Sequence, residues 1–85
     1  MYTAPDYLVK HGISFETAAR VFEDEERIEI FDEVHSADED RYITIGMAGE
    51  VLFVVYTERR DTIRLISARL ANARERRLYY GYSEV

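Results

Sequence analysis

The stretch from Arg41 to Arg69, RYITIGMAGEVLFVVYTERRDTIRLISAR, decides the fold. Arg41 to Met47 alternates polar and apolar side chains, the period of a strand with two unlike faces. Ala48-Gly49 breaks that pattern as a short hairpin turn. Val51 to Thr57 is an unbroken β-branched and aromatic run, which predicts a central strand covered on both faces. Arg60-Asp61 makes the next turn, and Thr62 to Ala68 alternates apolar residues with small or charged ones. Strands joined this tightly form an antiparallel meander.

Upstream, Arg27 to Phe31 alternates charge and apolar bulk and predicts a further strand with one wet face, followed by a polar loop from Asp32 to Asp40. Ahead of it Phe15, Ala18, Ala19 and Phe22 recur at helical spacing, so a helix is predicted from Ser14 to Phe22 with Ser14 as N-cap. Ile13 can staple onto Ala18, Gly12 is a turn residue, and a short helix or extended arm is expected over Asp6 to His11. Downstream, Asn72 with Glu75 three positions later has capping-box spacing for a helix from Ala73 to Tyr80, with Leu78, Tyr79 and Tyr82 as its packing face. The order predicts one α+β domain over residues 1–85, an antiparallel sheet of three to four strands with the helices packed on one face.

The chain has 85 residues, 47% of them hydrophobic and 13% aromatic, enough for a core and too apolar for disorder. The absence of cysteine removes disulfides and thiolate zinc sites. The start, MYTAPDYLVKHG, lacks the basic and apolar regions of a signal peptide, and no run is long enough to cross a bilayer, so a cytoplasmic protein with no membrane partner is expected. The net charge of -6 argues against a nucleic-acid partner until its distribution is considered. Residues 1–58 hold four bases against fourteen acids, whereas residues 59–77 hold seven arginines against Asp61 and Glu75. Any one arginine can be matched by an acid of the first half, but the cluster points to an anionic partner, because the guanidinium fork fits phosphate bidentately.

Five ordered motifs and one dipeptide between them resemble one known family. Lys10-His11-Gly12-Ile13-Ser14-Phe15-Glu16 is similar to the opening of the BrnT toxins, and His35-Ser36-Ala37-Asp38-Glu39-Asp40-Arg41 matches their H-S-x-x-E-x-R. Val54 to Arg59, Ile63 to Arg69 and Glu75 to Tyr79 resemble the family's VVYTER, IRIISAR and ERRLY, and Ile45-Gly46 its isoleucine–glycine pair. The resemblance implies a fold like that of the RelE ribonuclease toxins. It also implies metal-independent RNA cleavage with no cofactor, and neutralisation by a ribbon-helix-helix antitoxin of the BrnA type. A homodimer, or a heterotetramer with that antitoxin, is the implied assembly. The chain departs from the pattern at its start: it has no tryptophan, and Tyr7 stands where the family carries Asn. Two readings follow, a start downstream of the family's or a lost edge strand.

Metal-free cleavage of RNA uses the 2′-hydroxyl as nucleophile and needs a base, an acid and positive donors for the phosphorane. His35 is the acid–base candidate, since imidazole titrates near neutrality and loops carry such groups, or else a surface loop histidine. Glu39 is a candidate to orient it or to act as base, or else a member of a solvated acidic run. Arg59 and Arg69 are the expected phosphate clamps. Strand parity puts Arg64 and Arg69 on opposite faces, so Arg64 is assigned to the RNA track, an interface or an ion pair. Lys10 and His11 are candidate phosphate contacts ahead of the first helix, with a capping or packing role as the alternative for His11. Arg76, beside Arg74 and Arg77, would extend the track along the last helix or form a solvated face. Tyr56 is read as core. Asp32, His35, Asp38, Glu39 and Asp40 are dense enough to raise a divalent metal, but no second histidine is near and no metal-ligand spacing fits. The rival function is a non-catalytic module whose arginine face binds an acidic, antitoxin-like partner.

Overall fold

The computed structural model describes residues 2–3, 12–37 and 39–81. In chain order these are β1 (Tyr2–Thr3), α1 (Phe15–Arg20), a 3-10 turn (Val21–Glu23), β2 (Ile28–Phe31), β3 (Tyr42–Ala48), β4 (Glu50–Arg59), β5 (Thr62–Leu70) and α2 (Ala73–Tyr80). The arm expected over Asp6 to His11, the contacts assigned to Lys10 and His11, and the packing of Tyr82 lie outside the described residues.

Local chemistry explains the helix starts. Ser14 is extended and its hydroxyl accepts the Thr17 amide, so α1 begins where the N-cap was expected. Asn72 and Glu75 complete a reciprocal capping box at α2. The hairpin between β3 and β4 turns on Gly49, whose φ of +82° only glycine adopts readily.

The sheet runs β1-β5-β4-β3-β2. From β2 to β5 it is the antiparallel meander read from the sequence. β1 pairs in parallel with β5, Tyr2 beside Ile63 and Thr3 beside Arg64. The sheet is therefore mixed and five-stranded, not antiparallel with three to four strands. Two residues are too few to show a period, so β1 leaves no pattern to read.

Register divides the side chains. Tyr42, Thr44 and Gly46 of β3 stand opposite Tyr56, Val54 and Leu52 of β4, and this face receives α1. Ala18, Val21, Leu52, Val54, Tyr56, Leu65 and Ala68 form the main core there. Gly46 permits the close approach, since a Cβ at this position would come 2.7 Å from Val21 Cγ1. Tyr56 is buried between Phe22 and Tyr42, as expected of a core residue, and burial with Glu29 nearby pushes its phenol up.

The opposite face carries Ile43, Ile45, Met47, Val51 and Phe53, and Tyr79 of α2 packs there. The helices thus lie on opposite faces, contrary to the one-sided arrangement expected. The alternation at the end of β5 explains it. Leu70 pairs with Leu52 on the α1 side, so the next residue, buried Ala71, points to the far side and leads α2 there. Tyr79 donates to Asp24 Oδ2, which also accepts the Met47 amide, fastening α2 around the end of β3.

One irregularity in β5 positions the site. Val55 pairs with Ser67 but Tyr56 pairs with Leu65, so Ile66 is a bulge residue. Leu65 and Ala68, three apart, consequently share the α1-side core. Arg64 and Arg69 end on the same, far face, opposite Thr57 and Phe53, where simple parity had put them on opposite faces.

Candidate functional site

The face away from α1 is covered by α2 at one end and crossed by the 32–41 loop at the other. The loop is closed at its base by the Asp32 amide donating to the Arg41 carbonyl at 2.9 Å. Ser36 Oγ donates to the Asp32 carbonyl and accepts the Arg41 amide, and buried Thr57 Oγ1 donates to the Asp40 carbonyl. These bonds tie the two ends of a polar segment to each other and to β4.

His35 lies on this loop. Its Nδ1 is 3.0 Å from Asp32 Oδ2, and its own amide donates to Asp32 Oδ1 at 3.3 Å. The imidazole is 64% exposed while the Asp32 side chain is only 13% exposed, so a sheltered carboxylate anchors an accessible ring. With Nδ1–H directed at the carboxylate, Nε2 is the nitrogen left for a substrate. Glu39 does not orient His35: its Oε1 accepts Arg59 Nη2 at 2.9 Å and Nε at 3.2 Å. Asp32 is the partner, a residue the sequence reading set only among possible metal ligands. The signal for it was local, an Asp three residues before a His in a turn.

Beside His35 the face opens into a depression of about 350 Å³. Ile43, Phe53, Val55 and Ile66 make its floor; His35, Arg41 and Ser67 stand at its rim. The Arg69 guanidinium lies 4.0 Å over the Phe53 ring and makes two 2.8 Å hydrogen bonds to Glu75. That guanidinium holds the Glu75 carboxyl below the usual carboxylate range despite partial burial. Both expected phosphate clamps, Arg59 and Arg69, are therefore engaged by acids of the same chain. Arg41 and Arg64 make no ion pair among the described residues, and Arg64 shares the face of Arg69. Arg76 donates to the Ala71 carbonyl at the start of α2, while Arg74 and Arg77 are exposed on that helix. Arg41 stands in the sequence as the start of a strand and the end of a motif; its place beside the depression comes from loop closure.

Among the described residues no group of three or more His, Asp or Glu side chains is gathered so as to hold a metal ion. Asp38, one of the acids weighed for that role, lies outside them. No helix of the described chain is long and apolar enough to cross a membrane.

An apolar depression lined by the Arg41 guanidinium and a carboxylate-backed imidazole, with Arg69 over its Phe53, suits a phosphodiester with a base attached. Family comparison gives this class a definite place. The sequence profile described as ribonuclease toxin, BrnT, of type II toxin–antitoxin system matches residues 4–75, and the chain belongs to that family. The family is one of ribonuclease toxins, and a type II system pairs its toxin with a protein antitoxin. A comparison with curated proteins finds no match.

Proposed function

We propose that this chain cleaves RNA without a metal ion on the far face of the sheet, with His35 as the acid–base group and Asp32 positioning it. The observation that carries the reading is the His35–Asp32 pair beside an apolar depression that Arg41 also lines. The 2′-hydroxyl attacks the adjacent phosphorus and loses its proton, and the departing 5′-oxygen gains one, leaving a cyclic phosphate. His35 Nε2 serves one of these transfers. General acid–base help of this kind is worth roughly 10²–10⁴ in rate.

Arg41 brings to the same rim a guanidinium with no ion pair among the described residues, and Arg64 adds charge from β5. Arg69 contributes its remaining donors from above Phe53, and Arg59 acts where a phosphate displaces Glu39. Arg76 extends the RNA track along α2; Lys10 and His11 are assigned to phosphate from the sequence alone. The antitoxin in this reading is a ribbon-helix-helix protein of the BrnA type, assembled with the toxin as a heterotetramer in the cytoplasm, and the fold is akin to RelE toxins.

The rival module, which holds an acidic partner on its arginine face, draws on one observation: Arg59 and Arg69 already grip carboxylates. A fluorescent RNA incubated with purified protein in EDTA separates the readings. Cleavage is expected in wild type and lost in a folded His35→Ala variant. Activity that disappears with chelator and returns with Mg²⁺ or Mn²⁺ overturns the metal-free mechanism, and soluble protein inert in both conditions favours the module.

A further inference from the structure

β2 is a terminal strand of the sheet, and its outer side pairs with no described strand. Edge strands are commonly protected by lysine, proline, a bulge or a covering element, because free N–H and C=O groups accept another strand. β2 has no lysine or proline; it is a short strand, Ile28-Glu29-Ile30-Phe31, whose one charged side chain, Glu29, is paired with Arg27. Ile30 and Phe31 project to opposite faces and are 39% and 45% exposed, and Val34 just beyond is 83% exposed. An added strand would pair the backbone and cover apolar surface on both sides.

Charge selects the occupant. The eleven residues from Glu23 to Glu33 hold seven acids and a single base, Arg27, which pairs with Glu29 at 2.8 Å. Asp24 is committed to Met47 and Tyr79, and Asp32 to His35. Glu23, Glu25, Glu26 and Glu33 are exposed and make no ion pair among the described residues. Antiparallel pairing of β2 with a second copy would bring two such acidic segments together, a repulsive arrangement.

We infer that β2 is a docking edge for an extended basic segment of a protein partner, in which Lys or Arg alternates with apolar residues and adds a sixth strand. The edge runs directly into Asp32, so the added strand abuts the His35 loop. Main-chain hydrogen bonds would supply affinity, and the four exposed carboxylates would supply selection. The inference needs only this edge and stands whether or not His35 moves a proton.

The test uses the whole chain and two ten-residue peptides, one alternating Lys with Val and one alternating Glu with Val. Hydrogen exchange at residues 28–31 is expected to slow at least tenfold with the Lys–Val peptide and to stay unchanged with the Glu–Val peptide. Reversing exposed charges in a Glu25→Lys, Glu26→Lys, Glu33→Lys variant leaves the core untouched and is expected to weaken binding at least tenfold, as is Ile30→Lys. Equal binding of both peptides overturns the inference. So does protection confined to the β1 edge, or a dimer by light scattering whose β2 amides are already protected without peptide.

Discussion

Replacing Asp32 by Asn separates the orientation of His35 from its chemistry. Asn keeps the shape of the side chain and can still accept the His35 amide and Nδ1–H, while the backbone bonds that close the loop do not involve the carboxylate. What is lost is the negative charge 3.0 Å from Nδ1. Because the ring is mostly exposed, the solvent end of the dielectric range applies, and the attraction to a developing imidazolium is about 1.4 kcal/mol. That corresponds to roughly a tenfold loss of rate, less in high salt. Single-turnover cleavage of a labelled RNA in EDTA should therefore place Asp32→Asn between wild type and His35→Ala, with an unchanged melting temperature. Two results refute the reasoning. If Asp32→Asn cleaves like wild type while His35→Ala is inactive, the carboxylate contributes nothing to catalysis; if both are equally inactive, Asp32 itself handles a proton.

Tyr79→Phe removes a hydrogen bond to a charged acceptor and is expected to cost about 1.5 kcal/mol, lowering Tm by roughly 6–12 °C; calorimetry showing no shift would mean α2 docks without that bond. Asp24 also sets an acid limit. Burial alone would raise its carboxyl, but hydrogen bonds from Tyr79, the Met47 amide and the Glu26 amide, with the charge of Arg27, hold it below its ordinary value of 3.8. The folded form thus binds this proton more weakly than the unfolded chain, so the stabilisation is whole above about pH 4 and drains as pH falls further. Urea midpoints should drop on acidification, and less steeply in Asp24→Asn; parallel slopes would contradict the assignment. Gly46→Ala forces a methyl to within 2.7 Å of Val21 Cγ1 and should cost about 1–3 kcal/mol, so an unaltered urea midpoint would show that α1 yields freely.

The elements that local chemistry determines were legible without a structure. A Ser or Asn N-cap acts within three residues, and both helices start where Ser14 and Asn72 predict. The meander was equally open to reading, since each strand of the Arg41 to Arg69 stretch carries its own period and its own turn, and the motif order carried the family. The side of the sheet to which each group belongs was not legible, because one unpaired residue inverts every later assignment. Nothing in Thr62 to Leu70 marks Ile66 as that residue; the ladder with β4 selects it, seating both Leu65 and Ala68 in one core. The same holds for charge. Arg59 meets Glu39 from twenty residues away and Arg69 meets Glu75 across a strand end, pairings that no sequence spacing announces. The sequence by itself determined the four strands of the meander, the caps and the family. Only the tertiary structure decided that α1 and α2 take opposite faces, that Arg64 and Arg69 share one, and that the loop carrying His35 lies beside the depression, because each depends on contacts between segments that meet only when the sheet is assembled.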